Sequence, residues 1–167
     1  MGAQRDPCSE TDWSRFWAQS DYAHSIVCTA LGDRQSCLEA LHSALENDPS
    51  YAPAILSLGS LEYQLGRSDQ GRRLLMSLLA LPDDTDDLTQ MIDRAGEFLI
   101  SIGAYSDGLE LFCAGASRFP QATCLLQGLT RCAGRAGLAP AAATGPADGS
   151  AASDPDGWEQ SLPARAA

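Results

Sequence analysis

The fold of this chain is decided by the stretch APAILSLGSLEYQLGRSDQGRRLLMSLLALP, residues 52–82. Apolar residues recur at helical spacing on both sides of Gly66, and Pro82 closes the stretch. Glycine ends a helix at no steric cost because it adopts the left-handed backbone conformation. Proline stops a helix because it lacks the amide N–H and disfavours helix in the residue before it. The stretch therefore predicts two helices joined by a tight turn.

Glycines and prolines recur at similar spacing along the chain. The glycines are Gly32, Gly66, Gly103 and Gly137, spaced 34, 37 and 34 residues apart, and Pro49, Pro82 and Pro120 follow the first three by 17, 16 and 17 residues. A period of about 34 residues is typical of stacked helical hairpins, in which one unit cannot bury its apolar face alone. The pattern predicts an all-α, right-handed solenoid of three helical hairpins and one further helix.

Individual residues in these repeats resemble the tetratricopeptide repeat (TPR) pattern. Its first half is matched by Ile55, Leu58 and Gly59, then by Ile92, Ala95, Gly96 and Leu99. Its second half is matched by Cys37, Leu41 and Pro49, by Gly71 and Leu75, and by Gly108, Phe112 and Pro120. The chain departs from the pattern at Asp21 and Glu62, where aromatic residues are usual. The resemblance implies a TPR-like solenoid.

The small residues Cys37, Gly71 and Gly108 stand where the pattern has alanine. Here the two helices of a pair are expected to approach most closely, because a larger side chain would push their axes beyond the usual separation of about 8–10 Å.

The repeat register divides the chain into three parts. We expect a TPR-like domain at 18–138, with repeats at about 18–51, 52–85 and 89–122 and a final helix at 123–137. Residues 1–17 form an aromatic lead-in, with Ser9 and Asp12 capping a short helix. Its Trp13, Phe16 and Trp17 are expected to cover the open apolar end of the first repeat; the alternative is an exposed hook for a partner. Residues 139–167 form an Ala/Pro/Gly-rich tail, predicted to be disordered, that contains Trp158.

The composition excludes several classes of function. The net charge is −11, and all eleven cations are arginine, which argues against nucleic-acid binding and removes lysine-based chemistry. The N-terminal residues contain no apolar run, and the longest mostly apolar stretch, Leu74–Leu81, is too short to cross a bilayer. We therefore expect a cytoplasmic protein without membrane contact. Its six cysteines, which include Cys28 and Cys37 on either side of Gly32, are then expected to be reduced core residues.

No catalytic, cofactor or metal constellation is found in the sequence. His24, expected at a packing position, and His42 lack the spacing of a metal motif. The acidic run Asp83–Asp87 fails the calcium-loop pattern, so we expect it to cap the helix at 88–102. The enzymatic alternative uses this acidic run together with Asp93 and Glu97 to hold a divalent metal, but that pair has no histidine or third ligand. We interpret the protein as non-enzymatic.

The first helix of each TPR hairpin lines a concave groove, which is the candidate binding surface. The residues expected on it are Tyr22, Ile26, Leu56, Ser60, Tyr63, Asp93, Glu97, Gln127 and Arg131. This groove would run from apolar through acidic to basic, and its partner would carry apolar anchors and basic residues. Leu56→Glu or Tyr63→Ala should then weaken binding with little effect on melting temperature.

The function predicted from this surface is a protein–protein interaction module, an adaptor or assembly factor. The alternatives are a spacer domain whose groove positions are merely solvated, and a small acidic cytoplasmic chaperone for a secreted or aggregation-prone client. Homodimerisation through an open apolar end at Leu125, Leu126 and Leu129 is a structural alternative compatible with the interaction module. A lysine- and asparagine-based carboxylate clamp is excluded because the chain has no lysine.

Overall fold

The computed structural model describes the backbone of residues 7–137 and the side chains of residues 13–137. This part of the chain is all-helical and contains no β-strand. Its seven α-helices are α1 (Pro7–Leu31), α2 (Arg34–Asn47), α3 (Ala52–Gln64), α4 (Ser68–Ser77), α5 (Leu88–Ser101), α6 (Tyr105–Arg118) and α7 (Thr123–Arg135), and a 3-10 turn (Leu78–Ala80) extends α4. The side chains of Cys8, Ser9 and Asp12, together with the tail at 139–167 and its Trp158, lie outside the described residues.

The predicted helix ends are confirmed both at the glycines and before the prolines. Gly32, Gly66, Gly103 and Gly137 all have a positive φ, between 73° and 79°. This is the left-handed conformation that closes a helix. The helices α2 and α6 end two residues before Pro49 and Pro120, and the 3-10 turn ends two residues before Pro82.

Consecutive helices pack as pairs, α1 on α2, α3 on α4 and α5 on α6, and α7 packs on α5 and α6. Small residues sit at the closest approaches, as predicted for Gly71. A Cβ atom at Gly71 would lie 2.5 Å from the Tyr63 ring and 2.7 Å from the carbonyl oxygen of Gly59. The buried ring of Phe112 lies between α5 and α7, where a Cβ at Gly96 or Gly128 would overlap it.

The two residues that depart from the TPR pattern, Asp21 and Glu62, make polar contacts. Asp21 Oδ2 accepts hydrogen bonds from Ser43 Oγ (2.7 Å) and Asn47 Nδ2 (2.9 Å), which tie α1 to α2. Glu62 is buried on α3, and Arg67 at the start of α4 donates to its carboxylate. A carboxylate is tolerated at each place because donors on the neighbouring helix or turn satisfy it.

The aromatic lead-in differs from its prediction. Residues 7–17 belong to the same unbroken helix as residues 18–31, because neither glycine nor proline interrupts the chain between Cys8 and Leu31. Trp13, Phe16 and Trp17 are all more than half exposed and stack edge to face on one another. They do not cover the end of the first repeat. His24 is exposed on the same helix, so its expected packing position was wrong.

The expected apolar end at α7 was also wrong. Leu125 is fully buried and Leu129 packs against the main core, because α7 turns both side chains onto the neighbouring helices. Leu126 alone of the three is exposed. The predicted dimer surface therefore does not exist as a patch.

The acidic run does not cap α5 as expected. Asp87 occupies the N-cap position, but its backbone is left-handed (φ 54°) and its side chain caps no amide. Capping requires the extended backbone that directs the side chain at the helix amides. Asp83 and Asp86 instead bind arginines from distant helices, Arg118 and Arg15.

The five described cysteines are all free thiols. Cys28, Cys37 and Cys132 are buried, as expected of core residues, and the first two belong to one apolar cluster. Cys124 is half-buried. Cys113 is exposed, so the core interpretation was wrong there.

Candidate functional site

One concave surface of the described residues is a groove between α1 and α3, with α2 at its floor. It exists because α1 packs on α2 but makes no contact with α3 comparable to those of α3 with α5 or α5 with α7. The groove has a volume of about 510 Å³. Its lining comprises Ser25, Ile26, Thr29 and Ala30 of α1, Cys37 and Leu41 of α2, and Leu56, Ser57, Ser60, Leu61 and Gln64 of α3.

The helical register of α1 explains how the groove is built. Ala18, Ser25 and Cys28 are buried along the face that packs on α2. Ile26 lies about 100° further round the helix from Ser25, and its side chain remains 54% exposed. An aliphatic side chain is thus held, more than half exposed, at the open edge of the groove.

Three of the four hydroxyl groups that line the groove already donate within their own helices. Ser25 Oγ donates to the carbonyl oxygen of Tyr22 (2.6 Å), and Thr29 Oγ1 donates to that of Ser25 (2.8 Å). On α3, Ser60 Oγ donates to the carbonyl oxygen of Leu56 (2.8 Å). None of the lining residues is charged. The groove therefore offers mainly apolar surface, with few free donors to orient a polar ligand.

Three of the nine predicted groove residues, Ile26, Leu56 and Ser60, lie together in this groove. The two tyrosines lie elsewhere. Tyr22 is half-buried against the α1–α2 core and packs edge to face on Tyr51, with ring centroids 5.6 Å apart. Tyr63 is half-buried between repeats, and its hydroxyl donates to Asp107 Oδ2 at 2.7 Å.

The predicted acidic and basic stretches form one cluster on α5 and α7. Arg131 donates to Glu97 Oε1 from Nε at 3.0 Å and from Nη2 at 2.5 Å, and its Nη2 lies 3.8 Å from Asp93 Oδ1. Burial, followed by the charge of Glu97, raises the pKa of Asp93, which Arg131 opposes. The expected basic end is therefore not free, because Arg131 is paired. Gln127 is exposed on α7 and lines neither the groove nor this cluster.

A second, polar cleft lies beside the N-terminal half of α1. It has a volume of about 420 Å³ and lies where Arg15 and Gln19 face the loops that precede α3 and α5. Arg15 Nη2 binds Asp86 Oδ2 at 2.5 Å across it. Both groups of this pair are mostly exposed, so it adds little stability.

No group of three or more His, Cys, Asp or Glu side chains in residues 13–137 could hold a metal ion. In the same part of the chain, no helix combines the length and the apolar character needed to cross a bilayer.

Sequence reasoning missed most of the groove lining, including Ser25, Thr29, Leu61 and Gln64. For three of the missed residues, 57, 61 and 64, a sequence signal was present. Residues 56, 57, 60, 61 and 64 follow the spacing of one helix face, so widening the predicted face of α3 by one position would have included them. The contribution of α2 to the floor had no such signal.

Comparisons with known proteins gave no match: no protein-family model matches the sequence, and no curated protein is similar enough to it to count as a relative.

Proposed function

We propose that this protein is a non-enzymatic protein-interaction module with TPR-like hairpins, an adaptor or assembly factor that binds a partner segment in the groove between α1 and α3. The proposal depends chiefly on one observation, the open apolar groove in which Ile26 stays exposed beside Leu56. Its volume falls within the range of about 300–1,000 Å³ that is usual for ligand sites.

The shape of the groove favours a helical segment as the occupant. From Leu56 to Gln64 the α3 wall extends about 12 Å, which is slightly more than two helical turns. A segment of that length presents apolar anchors at positions i, i+3 or i+4, and i+7, the arrangement of helix-in-groove recognition. Because most hydroxyl groups of the lining already donate within their own helices, the groove favours apolar anchors over polar ones.

The charge of the chain favours basic residues flanking those anchors. The groove lining is uncharged, but the chain as a whole carries a net charge of −11. A field of this sign attracts cationic segments and accelerates their encounter, and salt screens it. Raising the ionic strength should therefore slow association more than it speeds dissociation.

A peptide-display experiment tests the proposal. A library of random 16-residue peptides is selected on the full-length protein, and enriched peptides are measured by fluorescence polarisation. We expect apolar residues at i, i+3 or i+4, and i+7, flanked by Arg or Lys. Ile26→Glu and Leu56→Glu should each weaken binding at least about tenfold, because each places a charge in the apolar contact.

Leu126→Glu is the matched control, since it adds the same charge at an exposed leucine far from the groove, on α7. It should bind like the wild type. Thermal melting of all three variants separates lost binding from lost folding. Failure to enrich any peptide, or equal binding by the two groove variants and the control, would contradict the proposal.

A further inference from the structure

The outer face of α1 carries a second apolar surface, separate from the groove. It consists of Trp13, Trp17, Ser20, His24, Val27 and Leu31, all exposed, and we name it the outer stripe. The exposed fractions are 62% for Trp13, 52% for Trp17, 55% for Val27 and 77% for Leu31. Phe16 borders the stripe, is 54% exposed and packs against both tryptophans.

The spacing of the outer stripe is that of a coiled-coil seam. Its members follow one another at intervals of four, three, four, three and four residues, which is the alternation of heptad positions d and a. The buried residues Ala18 and Ser25, on the face that packs against α2, lie about 120–140° round the helix from the centre of the stripe. The stripe therefore faces away from the body of the protein.

The outer stripe is complementary to itself when two copies run antiparallel. Positions 13 and 31, 17 and 27, and 20 and 24 are each equidistant from residue 22. A two-fold axis at that point places Trp13 opposite Leu31, Trp17 opposite Val27, and Ser20 opposite His24 of the other copy. Each outer layer pairs a large aromatic ring with a smaller aliphatic side chain. The central layer pairs a hydroxyl with an imidazole, which can exchange a hydrogen bond.

The charge and the area of the outer stripe also favour a second copy of this chain as its partner. No member is an aspartate, glutamate or arginine, although the chain has a net charge of −11. Three half-exposed aromatic rings, Val27 and Leu31 present on the order of 400–500 Å² of apolar surface. Apolar surface of this extent matches the largest patches on typical monomers, about 300–600 Å², which often serve as interaction sites. Two copies would bury on the order of 1,000 Å², close to the lower bound for a specific interface.

We propose that this protein forms a homodimer in which the outer stripes of two α1 helices pack antiparallel around a two-fold axis at residue 22. This inference is independent of the groove, because the groove and the outer stripe occupy different faces of α1. It also leaves both grooves of the dimer open to a partner.

Sedimentation velocity of the full chain over the micromolar range tests the dimer. We expect a species of twice the 17.6 kDa chain mass, whose fraction increases with concentration. Trp17→Arg and Val27→Glu should each give monomers, because a homodimer would bury two unpaired charges. Ile26→Glu is the matched control: it lies one residue from Val27 but faces the groove, so it should remain dimeric.

Mixing the two monomeric variants tests the antiparallel register. In the mixed dimer the introduced arginine faces the introduced glutamate, and the other layer keeps its native Trp17–Val27 pair. We expect the mixture to recover dimer while each variant alone stays monomeric with an unchanged circular dichroism spectrum. A monomeric wild type, or a dimeric Val27→Glu variant, would overturn the proposal. No recovery on mixing would overturn the register, and with it the proposed dimer.

Discussion

The hydroxyl of Tyr63 on α3 donates a 2.7 Å hydrogen bond to the Asp107 carboxylate on α6. The same carboxylate lies 3.2 Å from Arg72 Nε of α4, and the Tyr63 ring packs edge to face on Phe98 of α5. One side chain thus connects four helices from two consecutive hairpins. Burial, then the hydrogen bond to Asp107, raises the pKa of Tyr63.

Tyr63→Phe should lower the free energy of unfolding by about 1 kcal/mol, since it removes one half-buried hydrogen bond. Tyr63→Ala should lower it by about 3–5 kcal/mol because it also leaves a cavity between the hairpins. Urea denaturation measures both, with Tyr105→Phe as the control, because the Tyr105 hydroxyl bonds no other described residue. The structure thus revises the sequence-based expectation of a small effect on melting temperature. A Tyr63→Ala variant as stable as the wild type would contradict this assignment.

Tyr63 should also make stability depend on alkaline pH. Its pKa in the folded state exceeds the unfolded value of about 10, so its contribution is complete below pH 10 and is lost as the pH rises above it. Urea denaturation on either side of that pH should show a smaller alkaline loss for Tyr63→Phe than for the wild type. Some loss should remain, because burial also raises the pKa of Tyr51. Equal losses in both proteins would refute this linkage.

Gly71→Ala should destabilise the protein by about 1–3 kcal/mol, the usual cost of overpacking. The added methyl would meet the Gly59 carbonyl oxygen at 2.7 Å, and a backbone atom cannot move aside like a side chain. Gly134→Ala on α7 is the matched control, since a Cβ there meets nothing within 4 Å. It should stabilise the helix by up to about 1 kcal/mol. In thermal melts, we expect the melting temperature to fall for Gly71→Ala and to rise for Gly134→Ala.

Arg118→Ala should cost about 2 kcal/mol, whereas Asp83→Ala should change stability by no more than about 0.5 kcal/mol. The Arg118 guanidinium donates to Asp83 and to the carbonyl oxygens of Leu79 and Leu81, so it closes the end of the 3-10 turn. Its side chain is 26% exposed, but that of Asp83 is 75% exposed. Equal costs in chemical denaturation would show that the ion pair, and not the carbonyl contacts, stabilises this turn.

Thiol labelling should separate the cysteines by burial. Cys113 is exposed and should react with iodoacetamide in the folded protein. Cys132 is fully buried, and burial raises the pKa of its thiol, so it should react only after unfolding. Peptide mapping by mass spectrometry, with a denatured sample as the control, measures the two rates. Labelling of Cys132 as fast as Cys113 would contradict the packing of α7.

Local chemistry made the helix ends predictable. A residue with φ near 77° at position 32 must be one that tolerates the left-handed conformation, and glycine does so without cost. The small residue at position 71 was predictable for a related reason, because the repeat register placed it at a helix contact. The prediction that the acidic run caps α5 failed at Asp87. An acidic residue directly before a helix is usually a cap, but here its backbone is left-handed.

The sequence by itself determined where the helices begin and end, because turn conformation and helical periodicity depend on neighbouring residues. Only the tertiary structure decided which faces stay open. The distance between α1 and α3 creates the groove, and the pairing of Arg131 with Glu97, 34 residues apart, removes the expected basic end. Such features involve helices that are distant in sequence, so they follow from how whole helices pack and not from any local pattern.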